Sequence, residues 1–301
     1  MGNAVNQLAF PAPDPRYSQP FLTQRRDVVR FQSKPGTTVI AVDMANETRS
    51  RAAYNGEHFY VLYSHGNAED IGLALPYLEQ LAKVTDCSIL AYEYEGYSLS
   101  DGEPTEEGCY RSINAAYKYL TKVRGIPGQR IFVFGRSIGS GPSTDLVSRC
   151  EVRECAGLIL QSPIESGATT VLGQGGAAVF SMLDIFRNID KVDKVQVTAC
   201  IIHGMADEVV PFSNGRNLHE KLAKRGLAAT PLWVPGAGHN NMPEKDCLLH
   251  VRDFIRQRVD ALTKTQRTSM REGSTKITAP FIYNCLSNYP TRFSYLLHVP
   301  L

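Results

Sequence analysis

Ile131-Phe132-Val133-Phe134-Gly135-Arg136-Ser137-Ile138-Gly139-Ser140-Gly141 runs from four apolar residues rich in β-formers straight into Gly-x-Ser-x-Gly, and a helical pattern follows. The stretch predicts a buried strand, a sharp turn with Ser137 at its apex, and a helix start. Such a turn is strained, and glycines flank it where side chains would strike neighbouring backbone. The helix N-terminus beyond Ser137 points partial positive charge at the spot where negative charge would develop during attack. A bare Gly-x-Ser-x-Gly is common by chance. Its placement between a strand and a helix makes it a nucleophile elbow.

A serine hydroxyl is a poor nucleophile until a neighbouring base takes its proton, and that base needs a partner to fix its tautomer. Downstream, the apolar run Cys200-Ile201-Ile202-His203-Gly204 opens onto Met205-Ala206-Asp207-Glu208-Val209-Val210-Pro211. The last apolar run, Pro231-Leu232-Trp233-Val234, opens onto Pro235-Gly236-Ala237-Gly238-His239-Asn240. Asp207 and His239 thus follow Ser137 in the order serine, acid, histidine, each at a strand end. Upstream, Phe59 to Ser64 reads as a strand ending in His65-Gly66-Asn67-Ala68. That loop is placed to give one oxyanion-hole amide, from Asn67, while Ile138 gives the other. Other readings stand beside these. Glu208 could be the acid, with Asp207 capping the next helix. His65 and His203 read as structural, Glu93 and Glu95 as contacts between loops, and Asn240 and Asn241 as braces of the histidine loop.

The rest of the chain supplies the alternation around these motifs. Val28 to Ala45 suits one or two strands of a hairpin, and Ser88 to Tyr92 and Ala156 to Leu160 read as further strands. Helical spacing appears over Ile71 to Val84, Thr105 to about Arg124, Ser213 to Arg225 and Glu244 to Leu262. Strands alternating with helices predict an α/β-hydrolase fold: a mostly parallel central sheet, helices on both faces and a minimal lid. Residues 1–27, punctuated by Pro11, Pro13, Pro15 and Pro20, read as an extended arm, 28–262 as the hydrolase domain, and 263–301 as a poorly structured tail. A net charge of +2 without a basic, aromatic-laced stripe gives no argument for nucleic acid. No apolar run reaches the roughly 18 residues that would span a bilayer. The seven cysteines are scattered, odd in number and without metal-ligand spacing, which favours reduced thiols in a cytoplasmic protein. The proposed chemistry calls for no metal or cofactor.

Several of these stretches carry a resemblance. Ser64-His65-Gly66-Asn67-Ala68, the loop from Tyr92 to Gly102, Gly135 to Pro142, Leu160-Gln161-Ser162-Pro163, Ile202-His203-Gly204 with Asp207-Glu208-Val209, and Trp233 to Asn240 together resemble the α/β-hydrolase domain-containing protein 17 family. The similarity covers about residues 28–262, and Leu8-Ala9-Phe10-Pro11 with Pro13, Pro15 and Tyr17 looks like that family's opening. Members are membrane-associated serine hydrolases that remove palmitate from protein cysteines, so the resemblance implies an S-acylated protein or fatty-acyl ester as substrate. It implies Ser137 as nucleophile, Asp207 as acid and His239 as base. One departure concerns the anchor. The family's N-terminus typically carries a cysteine cluster, whereas no cysteine precedes Cys87 in this sequence. Gly2 is instead a candidate for myristoylation, although Asn6 stands where Ser or Thr is preferred. A single myristoyl chain binds membranes only marginally, with an association constant on the order of 10⁴ M⁻¹, and Arg25, Arg26 and Arg30 would add weakly. The expected location is the cytoplasm, peripherally at the cytoplasmic face of a membrane. The segment between Ser162 and Thr198, with Gly173, Gly175 and Gly176, is too short for a large lid and predicts a shallow, open site. The competing functions are a general carboxylesterase or monoacylglycerol lipase, and a non-catalytic scaffold that keeps the fold for protein binding.

Overall fold

The structure is a computed structural model that describes residues 10, 12–14, 19–149, 152, 154–167 and 184–273, with side chains to 264. Gly2, the glycines at 173, 175 and 176, and residues 274–301 lie outside the described residues.

Among the described residues eight strands form one sheet: β1 (Val28–Lys34), β2 (Thr37–Met44), β3 (Tyr60–Ser64), β4 (Ser88–Tyr92), β5 (Ile131–Arg136), β6 (Gly157–Gln161), β7 (Ala199–Gly204) and β8 (Leu232–Val234). Their spatial order is β1-β2-β4-β3-β5-β6-β7-β8. β2 is antiparallel to both neighbours, and every pair from β4 to β8 is parallel. Pro35-Gly36 turns the first hairpin, with Gly36 at φ +74°, a backbone conformation open to glycine without a Cβ penalty. Edge strand β1 alternates in burial, whereas β3, β4, β6 and β7 are buried along their whole length. Continuous apolar runs are what a parallel sheet covered on both faces requires.

Among the described residues the α-helices are α1 (Gln19–Thr23), α2 (Glu47–Ala53), α3 (Ile71–Thr85), α4 (Glu106–Lys118), α5 (Ser140–Ser148), α6 (Asn188–Lys191), α7 (Phe212–Lys224) and α8 (Glu244–Gly273). Asp70 caps α3 by accepting the Leu73 amide, and Thr105 caps α4 by accepting that of Gly108. One core packs Val133, Leu158, Leu160 and Ile201 against Ile113 of α4, Leu146 of α5 and Leu218 of α7. The other packs Val61, Ile89, Phe132 and Ile202 against Leu78 and Leu81 of α3 and Val251 and Ile255 of α8. Each such side chain contributes roughly 1.5–3 kcal/mol of burial, so both faces hold the sheet that carries the elbow.

The structure departs from the sequence reading in four places. Residues 1–27 are not simply an extended arm. Helix α1 places Leu22 in the second core at 1% exposure, and Phe10 enters the first core at 2%, edge-on to Phe186. A lone bulky residue among prolines carries no period, so its burial is invisible to pattern. Helix α2 is capped by Asn46 but buries only Ser50, so it too lacks an apolar stripe. The helix expected to reach Arg124 changes to π hydrogen bonding over Tyr119–Val123 before Gly125 ends it. The final helix runs to Gly273, past the apolar pattern that ends at Leu262. One compact unit extends to Leu262, and the described residues beyond it, 263–273, belong to a second. Among the described residues, no helix is long and apolar enough to cross a membrane.

The elbow depends on backbone touching backbone. A Cβ at Gly139 would lie 2.3 Å from the carbonyl oxygen of Ser64 and 2.7 Å from that of His65, and one at Gly135 would lie 2.4 Å from the Gly139 carbonyl. None of these three oxygens belongs to a side chain that could swing aside. Gly139→Ala should therefore cost about 3 kcal/mol or more, the upper end for overpacking. Urea denaturation measures it directly, and an unchanged midpoint would contradict this packing.

Candidate active site

Strand β5 delivers Ser137 at its carboxyl end, where the chain turns into Ser137–Gly139 and then α5. Ser137 has φ +53°, the left-handed region that a side chain enters at a cost. The turn lifts the hydroxyl out of the sheet and leaves the residue 8% exposed.

β7 ends at Gly204 and leads into the turn that carries Asp207. Asp207 Oδ1 accepts the amides of Val209 at 2.9 Å and Val210 at 2.8 Å, which fixes the carboxylate. β8 ends at Val234, and the following loop brings His239 back across the site. A Cβ on Gly204 would strike the Ala237 carbonyl at 2.3 Å, so the two loops pack backbone to backbone. Asn241 Oδ1 accepts the Gly238 amide at 2.5 Å and holds the histidine loop, whereas Asn240 lines the cleft.

These loops bring the three side chains together. His239 Nδ1 lies 2.8 Å from Asp207 Oδ2, and His239 Nε2 lies 3.0 Å from Ser137 Oγ, 102 residues away in the chain. An ionised Asp207 can only accept, so Nδ1 carries the ring hydrogen and Nε2 is left to receive the serine proton. Burial alone would raise the Asp207 carboxyl. Hydrogen bonds from His203 and His239 and from the Val210 amide outweigh it and hold Asp207 well below the usual carboxylate range. The carboxylate therefore stays charged. Glu208 does not compete for the imidazole: its carboxylate lies against Gly238, and Nδ1 is taken by Asp207.

Asn67 and Ile138 line the same cleft as Ser137 and His239. It measures about 490 Å³, and Leu73, Ile138, Ile164, Val209 and Val210 give it an apolar wall. His203 sits outside it, fully buried, with Nε2 2.9 Å from the Val210 carbonyl and 3.3 Å from Asp207 Oδ2. Glu95 also lies away from it, gripped by Arg111 at 2.8 and 2.6 Å and by Ser33 at 2.7 Å. Among the described residues, no cluster of His, Cys, Asp and Glu could hold a metal ion. One feature of the wall escapes the sequence. Arg136 bonds Glu69 at 3.1 Å, and Glu69 also accepts the Gly66 amide at 3.0 Å. The signal was a charged residue beside the nucleophile, but its partner lies 67 positions away.

Comparison with known proteins places this geometry in a family. The chain is 35% identical over 277 residues to α/β-hydrolase domain-containing protein aho-3 of Caenorhabditis elegans, covering 87% of this chain and 80% of that protein. It is 34% identical over 257 residues to human α/β-hydrolase domain-containing protein 17B, covering 80% and 86%. The chain belongs to the α/β-hydrolase domain-containing protein 17 family. A match to the 17C protein of Xenopus tropicalis reaches 40% identity over 187 residues but spans only 58% of that protein. Two broader family models match parts of this family member: the Chlamydia CHLPS protein family over residues 48–149 and the prolyl oligopeptidase family over 176–260. Solved structures agree on the fold. An esterase of Pyrococcus furiosus superposes with a TM-score of 0.63 at 16% identity, covering 83% of this chain and 97% of the esterase. A monoacylglycerol lipase of Paleococcus ferrophilus gives 0.55 at 15%, covering 73% and 99%. The fold is that of the α/β-hydrolases, as the alternation of strands and helices predicts, and the family is one of hydrolases.

Proposed function

We propose that this family member is a serine hydrolase that cleaves fatty-acyl thioesters on protein cysteines through an acyl-enzyme. The observation that carries the reading is the unbroken line of hydrogen bonds from Ser137 through His239 to Asp207 at an apolar cleft. Ser137 Oγ attacks the acyl carbonyl while His239 Nε2 takes its proton. The amides of Asn67 and Ile138 receive the oxyanion, each such donor being worth about 2.7–4 kcal/mol of barrier. As the tetrahedral intermediate collapses, the carbon–sulfur bond breaks, His239 returns the proton to the leaving thiolate, and the acyl group stays on Ser137. Water, deprotonated by His239, then releases the fatty acid and restores the serine. Asp207 orients the imidazole and stabilises its charged form throughout.

The apolar wall supports an acyl chain as the bound part of the substrate, while the polar groups gather at the reacting end. The resemblance to a depalmitoylating family supports the thioester. A general carboxylesterase or monoacylglycerol lipase would use the same three residues, and solved structures named as an esterase and a monoacylglycerol lipase share the fold. A palmitoylated cysteine peptide is expected to outcompete a short-chain ester in kcat/KM. Preference for the short ester by more than about tenfold, or 1.4 kcal/mol of transition-state binding, would favour the esterase. Lack of covalent labelling by a fluorophosphonate would favour the scaffold. Residence at the cytoplasmic face of a membrane, with Gly2 myristoylated, belongs to the same proposal and is tested by incorporation of a myristate analogue into wild type and Gly2→Ala.

A further inference from the structure

The loop that follows β3 presents Asn67 to the cleft, and a single side chain with no step in the mechanism fastens both of its ends. β3 pairs in parallel with β4, Ser64 opposite Tyr92, so the residues that leave the two strands, His65 and Glu93, emerge side by side. Both are fully buried. Glu93 Oε2 stands 3.3 Å from His65 Nε2, and neither atom has another hydrogen-bonding partner among the described residues. The other oxygen, Oε1, accepts the amide of Ile71, the first residue of α3, at 2.8 Å. One carboxylate thus spans the loop from its first residue to the helix that receives it.

The proton count fits a clasp. His65 Nδ1 donates to the Gly66 carbonyl at 2.9 Å, so a neutral ring would offer a bare Nε2. A carboxylate and a bare nitrogen repel, and the pair must hold one further proton between Nε2 and Oε2. Burial pushes the Glu93 carboxyl up. For His65, burial pulls downward, but the bond and charge of Glu93 raise it overall. Both directions keep that proton in place. Two hydroxyls complete the arrangement: Tyr94 donates to the His65 carbonyl at 2.7 Å and Tyr97 to Asn67 Oδ1 at 2.9 Å. Beneath them, the elbow glycine Gly139 rests on the Ser64 and His65 carbonyls, so loop and nucleophile share one contact.

We infer that Glu93 is a positioning residue: through His65 and the Ile71 amide, its buried carboxylate fixes the loop 65–71 and so sets the Asn67 amide against Ser137. The inference rests on the hydrolase reading above. An oxyanion donor acts on the transition state and not on bound substrate, so loosening it lowers kcat and leaves KM alone. A buried pair that served only stability would leave that split unmoved.

The test measures kcat and KM on a p-nitrophenyl acyl ester, with active sites counted by fluorophosphonate titration. Glu93→Gln keeps both bonds without the extra proton, because its amide can donate to the bare His65 Nε2 and its oxygen can accept from Ile71. It should stay within about threefold of wild type. Glu93→Leu breaks both bonds and should lose about 10²-fold in kcat with KM changed by less than about twofold. Its affinity for a boronic acid that forms a tetrahedral adduct on Ser137 should fall by the same factor. A folded Glu93→Leu with wild-type kcat overturns the inference, and so do equal losses in the Gln and Leu variants. Should Glu93→Leu fail to fold, Tyr94→Phe decides: a kcat about fivefold lower at constant KM supports the clasp, and an unchanged kcat overturns it. If wild type neither turns over the ester nor reacts with the fluorophosphonate, the hydrolase reading itself falls. Turnover by wild type with no response in any variant removes the clasp alone.

Discussion

Ser137→Ala is expected to lower kcat by about 10⁶-fold while leaving the fold intact, since removal of the nucleophile in a working triad costs about as much as removal of all three members. The hydroxyl bonds His239 and, among the described residues, holds no part of the backbone. Alanine keeps the Cβ that Ser137 already carries at φ +53°, so the strain is unchanged. Ser137→Gly should go further and add about 1 kcal/mol of stability, because glycine reaches that φ freely. Steady-state hydrolysis together with urea midpoints separates the two effects. Activity above about 1% of wild type in a folded Ser137→Ala protein would remove Ser137 from the role of nucleophile, since alanine leaves only binding and oxyanion stabilisation.

Asp207→Asn should lower kcat by about 10⁴-fold. Asparagine can still accept the Val209 and Val210 amides through its oxygen, which keeps the turn. Its amide nitrogen would then face His239 Nδ1 and favour the tautomer that blocks Nε2 as a base. The same substitution has a pH signature in stability. The folded Asp207 carboxyl lies below its ordinary value, so its contribution is present above the unfolded pKa of about 3.9 and fades as pH falls through the folded value. Wild type should therefore be more stable than Asp207→Asn at pH 7, with the gap closing below about pH 4. Urea midpoints across that range measure it. A gap that is constant, or that widens on acidification, would mean Asp207 is not the charged acid drawn here.

The members of the site were legible in the sequence to different degrees. Ser137 was plain because strand, turn and helix are adjacent, and the glycines around it report local crowding. Asp207 and His239 could be placed because each follows an apolar run, and strand ends point to one rim of a parallel sheet. His65 reads from the sequence as structural and Glu93 as a contact between loops, but not as partners of each other. Nothing local says that β4 lies beside β3, yet that neighbourhood is what presses the two side chains together. Arg136 and Glu69 were missed as a pair for the same reason.

The sequence alone determined what can be encoded within a few residues: the alternation that makes a covered parallel sheet, the caps at Asp70 and Thr105, the strained elbow, and the order of serine, acid and histidine. Tertiary structure decided everything that depends on which strands become neighbours. It aimed the carboxylate of Asp207, not that of Glu208, at His239, drew Phe10 and Leu22 into the cores, and closed Glu93 onto His65. Local pattern fixes torsions and faces over one or two turns. Contacts between residues tens of positions apart arise only when the buried faces of the sheet and helices are satisfied together.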